Sequence, residues 1–350
     1  MLPQPRNSTP TRPVAAKSPS RYVWTFLTTI LIACLALALF NYVVNPLNYY
    51  PPRLVRPLSY GDQLVKVDLM NRQAAGPDVL VLGSSRTMKL APADVTALNG
   101  MTAFNGGVSS SRPEEWYAML RHALDDLHWQ PREIIVGVDL ETLFYHGESN
   151  EDLLSSPDLR QHLPADMYRE SLWNRAALLI SWDQLLLSRK ALALNRGARP
   201  PAAITFDPDG LLHYVGWEKA VAEGRFQFGV EFNIRDYRRR YDGLDGFDEQ
   251  RKALFEQMLK LAAARSIRVR LFATTFHPAV LAEMVKLPAF NQVHADAVQY
   301  LSAAATRYQG VTFADFTEIT SFGGDQDNFF DGVHIRQENG RRQLERLLQQ

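Results

Sequence analysis

Near the C-terminus a carboxylate and an imidazole stand three residues apart, in Phe330-Asp331-Gly332-Val333-His334. Far upstream a serine pair closes a short apolar run, in Val79-Leu80-Val81-Leu82-Gly83-Ser84-Ser85-Arg86. A serine, a histidine and an acid are the parts of nucleophilic acyl transfer. A hydroxyl is a poor nucleophile at neutral pH. It needs an imidazole to take its proton and a carboxylate to hold that imidazole in the right tautomer. Ser85 is the candidate nucleophile, His334 the general base and Asp331 the orienting acid. Gly83 lets the backbone turn where strand gives way to loop. That turn would present the serine at the carboxyl end of a strand, where open α/β sheets hold their sites. Singly these pieces are commonplace, since Gly-Ser-Ser and Asp-Gly also make turns and helix caps. Their combination carries the reading.

At these residues the chain resembles the SGNH/GDSL hydrolase family. It is most similar to the membrane-anchored members that modify cell-envelope polymers, the teichoic acid D-alanyl transfer and alginate O-acetylation type. The family's first block corresponds to Gly83-Ser84-Ser85, its second to Asn105-Gly106-Gly107-Val108-Ser109, and its last to Asp331 and His334. The resemblance implies an oxyanion hole made by the Ser85 and Gly107 amides. The third block departs from the family. Where the family has an asparagine that donates to the oxyanion, this chain reads Ile134-Ile135-Val136-Gly137-Val138-Asp139. An ionised Asp139 cannot donate, and its charge would oppose the one that develops. It must point elsewhere, be protonated, or be neutralised. Arg86, beside the nucleophile, is the expected partner of Asp139 and a possible source of donors; a surface ion pair is its other reading.

Segments that would position these groups alternate. Asp78–Leu82, Thr102–Asn105, Glu133–Val138, Ile267–Ala273 and Val311–Phe316 read as short buried strands. Helices are expected over Tyr60–Gln73, Pro92–Leu98, from a Ser111-Arg112-Pro113-Glu114 capping box to about His128, and over Phe247–Arg265, Pro278–Tyr308 and Gln337–Leu348. This pattern predicts a three-layer α/β/α sandwich with a mostly parallel five-stranded sheet, SGNH-like in class. The expected organisation is a disordered tail at 1–21, a transmembrane helix at 22–44, a stalk and juxtamembrane helix at 45–76, and an SGNH-like domain at 77–350. An insertion at about 145–246, helical around Leu172–Leu194 and mixed over Phe206–Tyr241, would wall the cleft or meet a partner.

Tyr22–Val44 carries no charge, is rich in Leu, Ile, Ala, Val and Phe, and exceeds the roughly 20 residues that span a bilayer. Aromatics flank both ends: Tyr22 and Trp24, then Tyr42, Tyr49 and Tyr50. Arg6, Arg12, Lys17 and Arg21 precede the span, so the positive-inside rule keeps the tail in the cytoplasm and puts the rest outside. A cleaved signal would want a shorter apolar core. Leu31-Ile32-Ala33-Cys34 resembles a lipobox, but the chain stays apolar beyond Cys34, the single cysteine, which also rules out an internal disulfide. Formal charge is zero, and the chain after Arg21 has four more acids than bases, which argues against nucleic-acid binding.

Thr274-Thr275-Phe276-His277-Pro278 follows the fourth strand, so His277 belongs to the candidate site edge, with Arg86, Asn105 and Asp139. Arg235–Tyr241 is basic and aromatic and suits either an anionic glycan or phosphate, or a solvated face paired to nearby acids. The remaining histidines, His122, His128, His146, His162, His213 and His294, show no metal-ligand spacing, and no metal or cofactor is expected. The resulting expectation is a serine esterase or O-acyltransferase in a bacterial inner membrane, its domain periplasmic or extracellular. Its partners would be the membrane, an acylated envelope polysaccharide and a membrane acyl-donor protein. The alternative is a catalytically weak glycan-binding or scaffold protein.

Overall fold

Strands that are apolar on both faces must be covered on both faces, and that dictates the architecture. In the computed structural model, residues 19–47, 49–50, 54–55, 58, 61–147, 149–167, 169–197, 204–216 and 225–349 are described. The strands are β1 (Val79–Gly83), β2 (Ala103–Asn105), β3 (Glu133–Val138), β4 (Ile204–Phe206), β5 (Leu212–Tyr214), β6 (Arg268–Ala273) and β7 (Val311–Asp315). The α-helices are α1 (Pro19–Val44), α2 (Asp62–Asn71), α3 (Pro92–Asn99), α4 (Pro113–Arg121), α5 (Glu151–Ser155), α6 (Pro157–Arg160), α7 (Arg169–Leu178), α8 (Trp182–Arg196), α9 (Phe226–Tyr241), α10 (Glu249–Ala264), α11 (Pro278–Met284), α12 (Pro288–Arg307) and α13 (Gln337–Leu348).

Five strands form one sheet in the order β2-β1-β3-β6-β7, with every neighbouring pair parallel. Alternate residues divide between two cores. Leu80, Leu82, Ile134, Val136 and Leu271 pack with Trp116, Leu120, Phe255, Met258 and Leu301 from α4, α10 and α12. Val79, Val81, Ile135 and Phe272 face the other way, onto Val95 of α3 and Leu344 and Leu347 of α13. The result is a mostly parallel five-stranded sheet with helices on both sides. β4 and β5 form a separate antiparallel hairpin.

Several boundaries differ from the sequence expectation. The helix expected over Pro278–Tyr308 is two, because Pro288 opens α12 and holds Leu287 extended. The Leu172–Leu194 stretch breaks at Ser181, whose hydroxyl caps Gln184 N at 3.1 Å. α4 starts one residue later than expected. Glu115, not Glu114, closes onto the Arg112 amide at 2.9 Å, because buried Glu114 is held by Arg251 at 3.1 Å. Beyond Arg121 the helix widens into a single π turn, His122–Asp126, closed by Leu127 N on His122 O at 3.1 Å. The stretch expected to be mixed over Phe206–Tyr241 is the β4–β5 hairpin followed by α9.

α1 is long and apolar enough to cross a membrane, with Ser20–Val44 of mean hydropathy 2.4 in its most apolar window. Its C-terminal turn docks on the insertion: Asn41 donates to Leu179 O at 2.8 Å and accepts from Ser188 Oγ at 2.9 Å. The tail expected at residues 1–21 lies mostly outside the described residues, as does part of the stalk expected from Asn45 to Arg56.

Candidate active site

β1 delivers the candidate nucleophile, Ser85. Gly83, the last residue of β1, has φ +136°, and a Cβ there would lie 2.5 Å from Thr87 Cγ2 and 2.7 Å from Gly137 O. Only glycine combines that backbone angle with that proximity. The chain then turns through Ser84–Leu90, closed by Thr87 N on Ser84 O at 3.0 Å and Leu90 N on Thr87 O at 2.9 Å. Asn105, at the end of β2, ties this loop down by donating to Thr87 O and Leu90 O, both at 2.9 Å. Asn105 is therefore a positioning residue for the nucleophile loop. Its Oδ1 accepts from the Gly107 amide at 2.9 Å. The Gly107 N–H, expected to face an oxyanion, is thus directed to Asn105. Among the described residues the Ser85 N–H has no acceptor.

Residues 249 positions apart meet at this loop. Ser85 Oγ lies 2.8 Å from His334 Nε2. His334 Nδ1 lies 2.7 Å from Asp331 Oδ2. Asp331 Oδ1 also accepts the Val333 and His334 amides, at 2.8 and 2.9 Å. Burial alone would raise the Asp331 carboxyl, but His334 and these amide donors outweigh it and hold it below the ordinary carboxylate range. Ser85, Asp331 and His334 are each half-buried, so the relay opens to solvent.

The Asp331–His334 loop is positioned by His277, expected at the site edge, and by Asn233 and Gly229, which the sequence reading passed over. Gly332 N donates to Asn233 Oδ1 of α9 at 2.9 Å, and His277 N donates to Gly332 O at 2.9 Å. α9 passes so close that a Cβ on Gly229 would lie 2.7 Å from Asp331 Cβ. Asn233 was findable, because Val230, Asn233, Tyr237 and Tyr241 share one buried helical face. His277 caps α11 through Nδ1, which accepts from Ala279 N at 3.1 Å, and its ring packs edge-on against Phe226 and Phe329. Its burial lowers its pKa, a partly opposing Asp327 notwithstanding. These contacts make His277 a brace of the loop.

At the third block, Asp139 is buried, accepts from Thr274 Oγ1 at 2.7 Å and lies 3.6 Å from Arg86 Nη1. The Arg86 terminal nitrogens go to Asp139, to the Tyr237 hydroxyl at 3.5 Å and to Thr275 O, and its plane sits 4.2 Å from the centre of the Phe276 ring. Glu141 joins this cluster, accepting from Tyr241 at 3.3 Å. Burial and the adjacent Asp139 raise its carboxyl above the usual range. The charge of Asp139 is thus met within the protein by Arg86.

Lys66 is the other residue that the sequence reading missed. It is fully buried on the face of α2 shared with Gln63 and Met70, and donates to Asn105 O at 2.6 Å and to Gly210 O. Burial brings its pKa down to about 7. The β4–β5 hairpin reaches the same region, with Leu212 N on Met88 O at 3.3 Å and the Tyr214 ring 4.8 Å from Phe330. In the basic run, Arg238 pairs with Glu283 and Arg240 with Asp236, as a solvated face would.

No protein-family model matches the chain, and no curated protein does. Among solved structures it is similar to a proposed acylhydrolase from Bacteroides fragilis, at 15% identity and TM-score 0.38, over 83% of this chain and 96% of that one. It is also similar to a proposed platelet activating factor from Streptococcus pneumoniae, at 13% identity and TM-score 0.34, over 82% and 89%. At that level of likeness the functional reading rests on the site itself.

Proposed function

We propose that this chain is a membrane-anchored serine esterase or O-acyltransferase working through a covalent acyl-serine. The observation that carries the reading is the continuous relay from Ser85 Oγ to His334 Nε2 at 2.8 Å and from His334 Nδ1 to Asp331 Oδ2 at 2.7 Å. Ser85 Oγ attacks the ester carbonyl while its proton passes to Nε2. The oxyanion accepts from the Ser85 N–H. Collapse of the tetrahedral intermediate breaks the ester C–O bond, and the leaving oxygen takes the proton back from Nε2. Water or a sugar hydroxyl then attacks the acyl-serine, with His334 again taking and returning one proton. Asp331, held ionised, stabilises the imidazolium formed in each step.

The substrate class we assign is an acyl ester of envelope polysaccharide or another acylated polymer. Half-buried Tyr214, packed edge-on against buried Phe330 next to the relay, and Lys89 Nζ, 5.3 Å from the Phe330 ring centre, give this side of the site an aromatic and cationic character that supports a polar sugar ester over a lipid chain. α1 supports anchoring, and its buried Asn41–Ser188 contact favours a retained helix over a cleaved signal. Basic residues ahead of α1 favour a cytoplasmic tail and a periplasmic or extracellular domain on a bacterial inner membrane. A membrane acyl-donor protein fits an enzyme held at that surface.

The engaged Gly107 amide and the replacement of an asparagine by Asp139 favour a second reading, a glycan-binding or scaffold protein. The two separate when the full-length chain in detergent is treated with a fluorophosphonate probe and weighed intact. An active relay predicts one adduct on Ser85, lost in Ser85→Ala and His334→Ala. An unmodified but folded wild-type chain, or equal modification of all three, would overturn the enzyme.

A further inference from the structure

Toward the amino ends of the strands, away from Ser85 at the carboxyl end of β1, the π turn after α4 places His122 and Asp126 on one face, and His162 arrives from the segment after α6. His122 Nδ1 and His162 Nε2 each lie 2.8 Å from the same oxygen, Asp126 Oδ2, and the three ligand atoms fall within 4.8 Å of one another. The histidines looked unrelated in sequence because their spacing is long. The turn and the packing of Leu159 and Leu163 into the core bring them together.

The network around His122 fixes how its ring is presented. Asp158 Oδ2 accepts from Asn71 Nδ2 at 3.3 Å, which turns Asn71 Oδ1 toward His122 Nε2 at 2.9 Å. Nε2 therefore donates to Asn71, and in the neutral ring Nδ1 presents its lone pair to Asp126. A lone pair and a carboxylate oxygen at that separation repel unless a proton or a metal cation lies between them, and either can occupy this place. Ligating histidines characteristically have their second nitrogen fixed in this way.

We infer that His122, Asp126 and His162 form a binding site for a divalent transition ion of the Zn²⁺ class, clipping α2, α4 and the insertion together. Two imidazoles and one carboxylate suit Zn²⁺ and not Ca²⁺ or Mg²⁺, which prefer all-oxygen shells. Bonds of about 2.0–2.1 Å in a tetrahedron put neighbouring donors about 3.3 Å apart. The two 2.8 Å contacts therefore need to open by about 0.5 Å, while the two histidine nitrogens, within 4.8 Å of each other, need to settle near the same spacing. His122 is buried and Asp126 faces solvent, so the fourth position is open to water. The ion's role is structural, since the proposed acyl-transfer relay lies at the carboxyl ends of the strands.

The test uses the untagged full-length chain in detergent, stripped with chelator and dialysed against Zn²⁺ or Co²⁺. One equivalent of zinc per chain by elemental analysis is expected. Co²⁺ should give the visible absorption of a tetrahedral N/O site, and unfolding should shift to higher temperature. Asp126→Asn, at the solvent side, and His162→Ala should each abolish stoichiometric binding while the far-ultraviolet dichroism stays unchanged. Asn71→Leu should weaken binding about 10–100-fold by freeing the His122 ring. A folded wild-type chain that binds no zinc stoichiometrically would overturn the site, as would zinc retained undiminished by Asp126→Asn and His162→Ala.

Discussion

Replacing Gly229 with alanine is expected to slow acyl transfer about 10²-fold while the protein stays folded. Gly229 lies within α9, where alanine would ordinarily add about 1 kcal/mol of helix propensity. Here the new methyl would lie 2.7 Å from Asp331 Cβ. Ordinary carbon–carbon contact is about 3.5–4.0 Å, so the acid must retreat by about 1 Å. That displacement takes the 2.7 Å contact between His334 Nδ1 and Asp331 Oδ2 past the usual hydrogen-bond range. Overpacking of this kind costs about 1–3 kcal/mol, so propensity offsets part of it and the fold survives. The readout is kcat and KM on a chromogenic acetyl ester, or the rate of probe capture at Ser85 if water is a poor acceptor. The loss should fall on kcat, because Gly229 touches the acid and not the substrate. A double variant with Asp331→Asn should be little slower than Asp331→Asn alone, since both act through one imidazole. A Gly229→Ala protein with wild-type rate would refute the placement of α9 against the acid.

Other expectations follow from the same geometry. Asp331→Asn should lower kcat by about 10⁴-fold without loss of fold, through the wrong His334 tautomer, measured on the same ester. The Asp331 pKa is lower folded than unfolded, so its contribution is full above the unfolded value of about 3.9 and is lost as pH falls through the folded value. Urea midpoints at pH 5 and pH 3 should therefore differ less in Asp331→Asn than in wild type. Lys66, unfolded near 10.5 and folded at about 7, binds its proton more tightly when unfolded, so stability should rise with pH between those values. The slope approaches 1.4 kcal/mol per unit at most; an equal slope in Lys66→Met would assign the rise to another group. Arg251→Met would leave Glu114 buried without its cation and should cost about 3–5 kcal/mol, read from chemical unfolding.

What the sequence determined by itself is local. Apolar runs such as Val79–Leu82 and Glu133–Val138 declare strands because burial on both faces leaves no other use for them, and the uncharged stretch up to Val44 declares a long apolar helix. Ser85, Asp331 and His334 were legible because their residue types and strand context are demanding, and Asp331-to-His334 is close enough for sequence to show their contact. What only tertiary structure decided is which distant groups share a low-dielectric space. Asn105 Oδ1 takes the Gly107 amide, Arg86 is spent on Asp139, Thr275 and Tyr237, and Lys66 is buried against backbone carbonyls. The same holds for Gly229 against Asp331 and for His122 beside His162. Such contacts depend on how helices register against a sheet to within an ångström. Hydrophobic periodicity fixes which face of an element is buried, but not which polar atom it meets there.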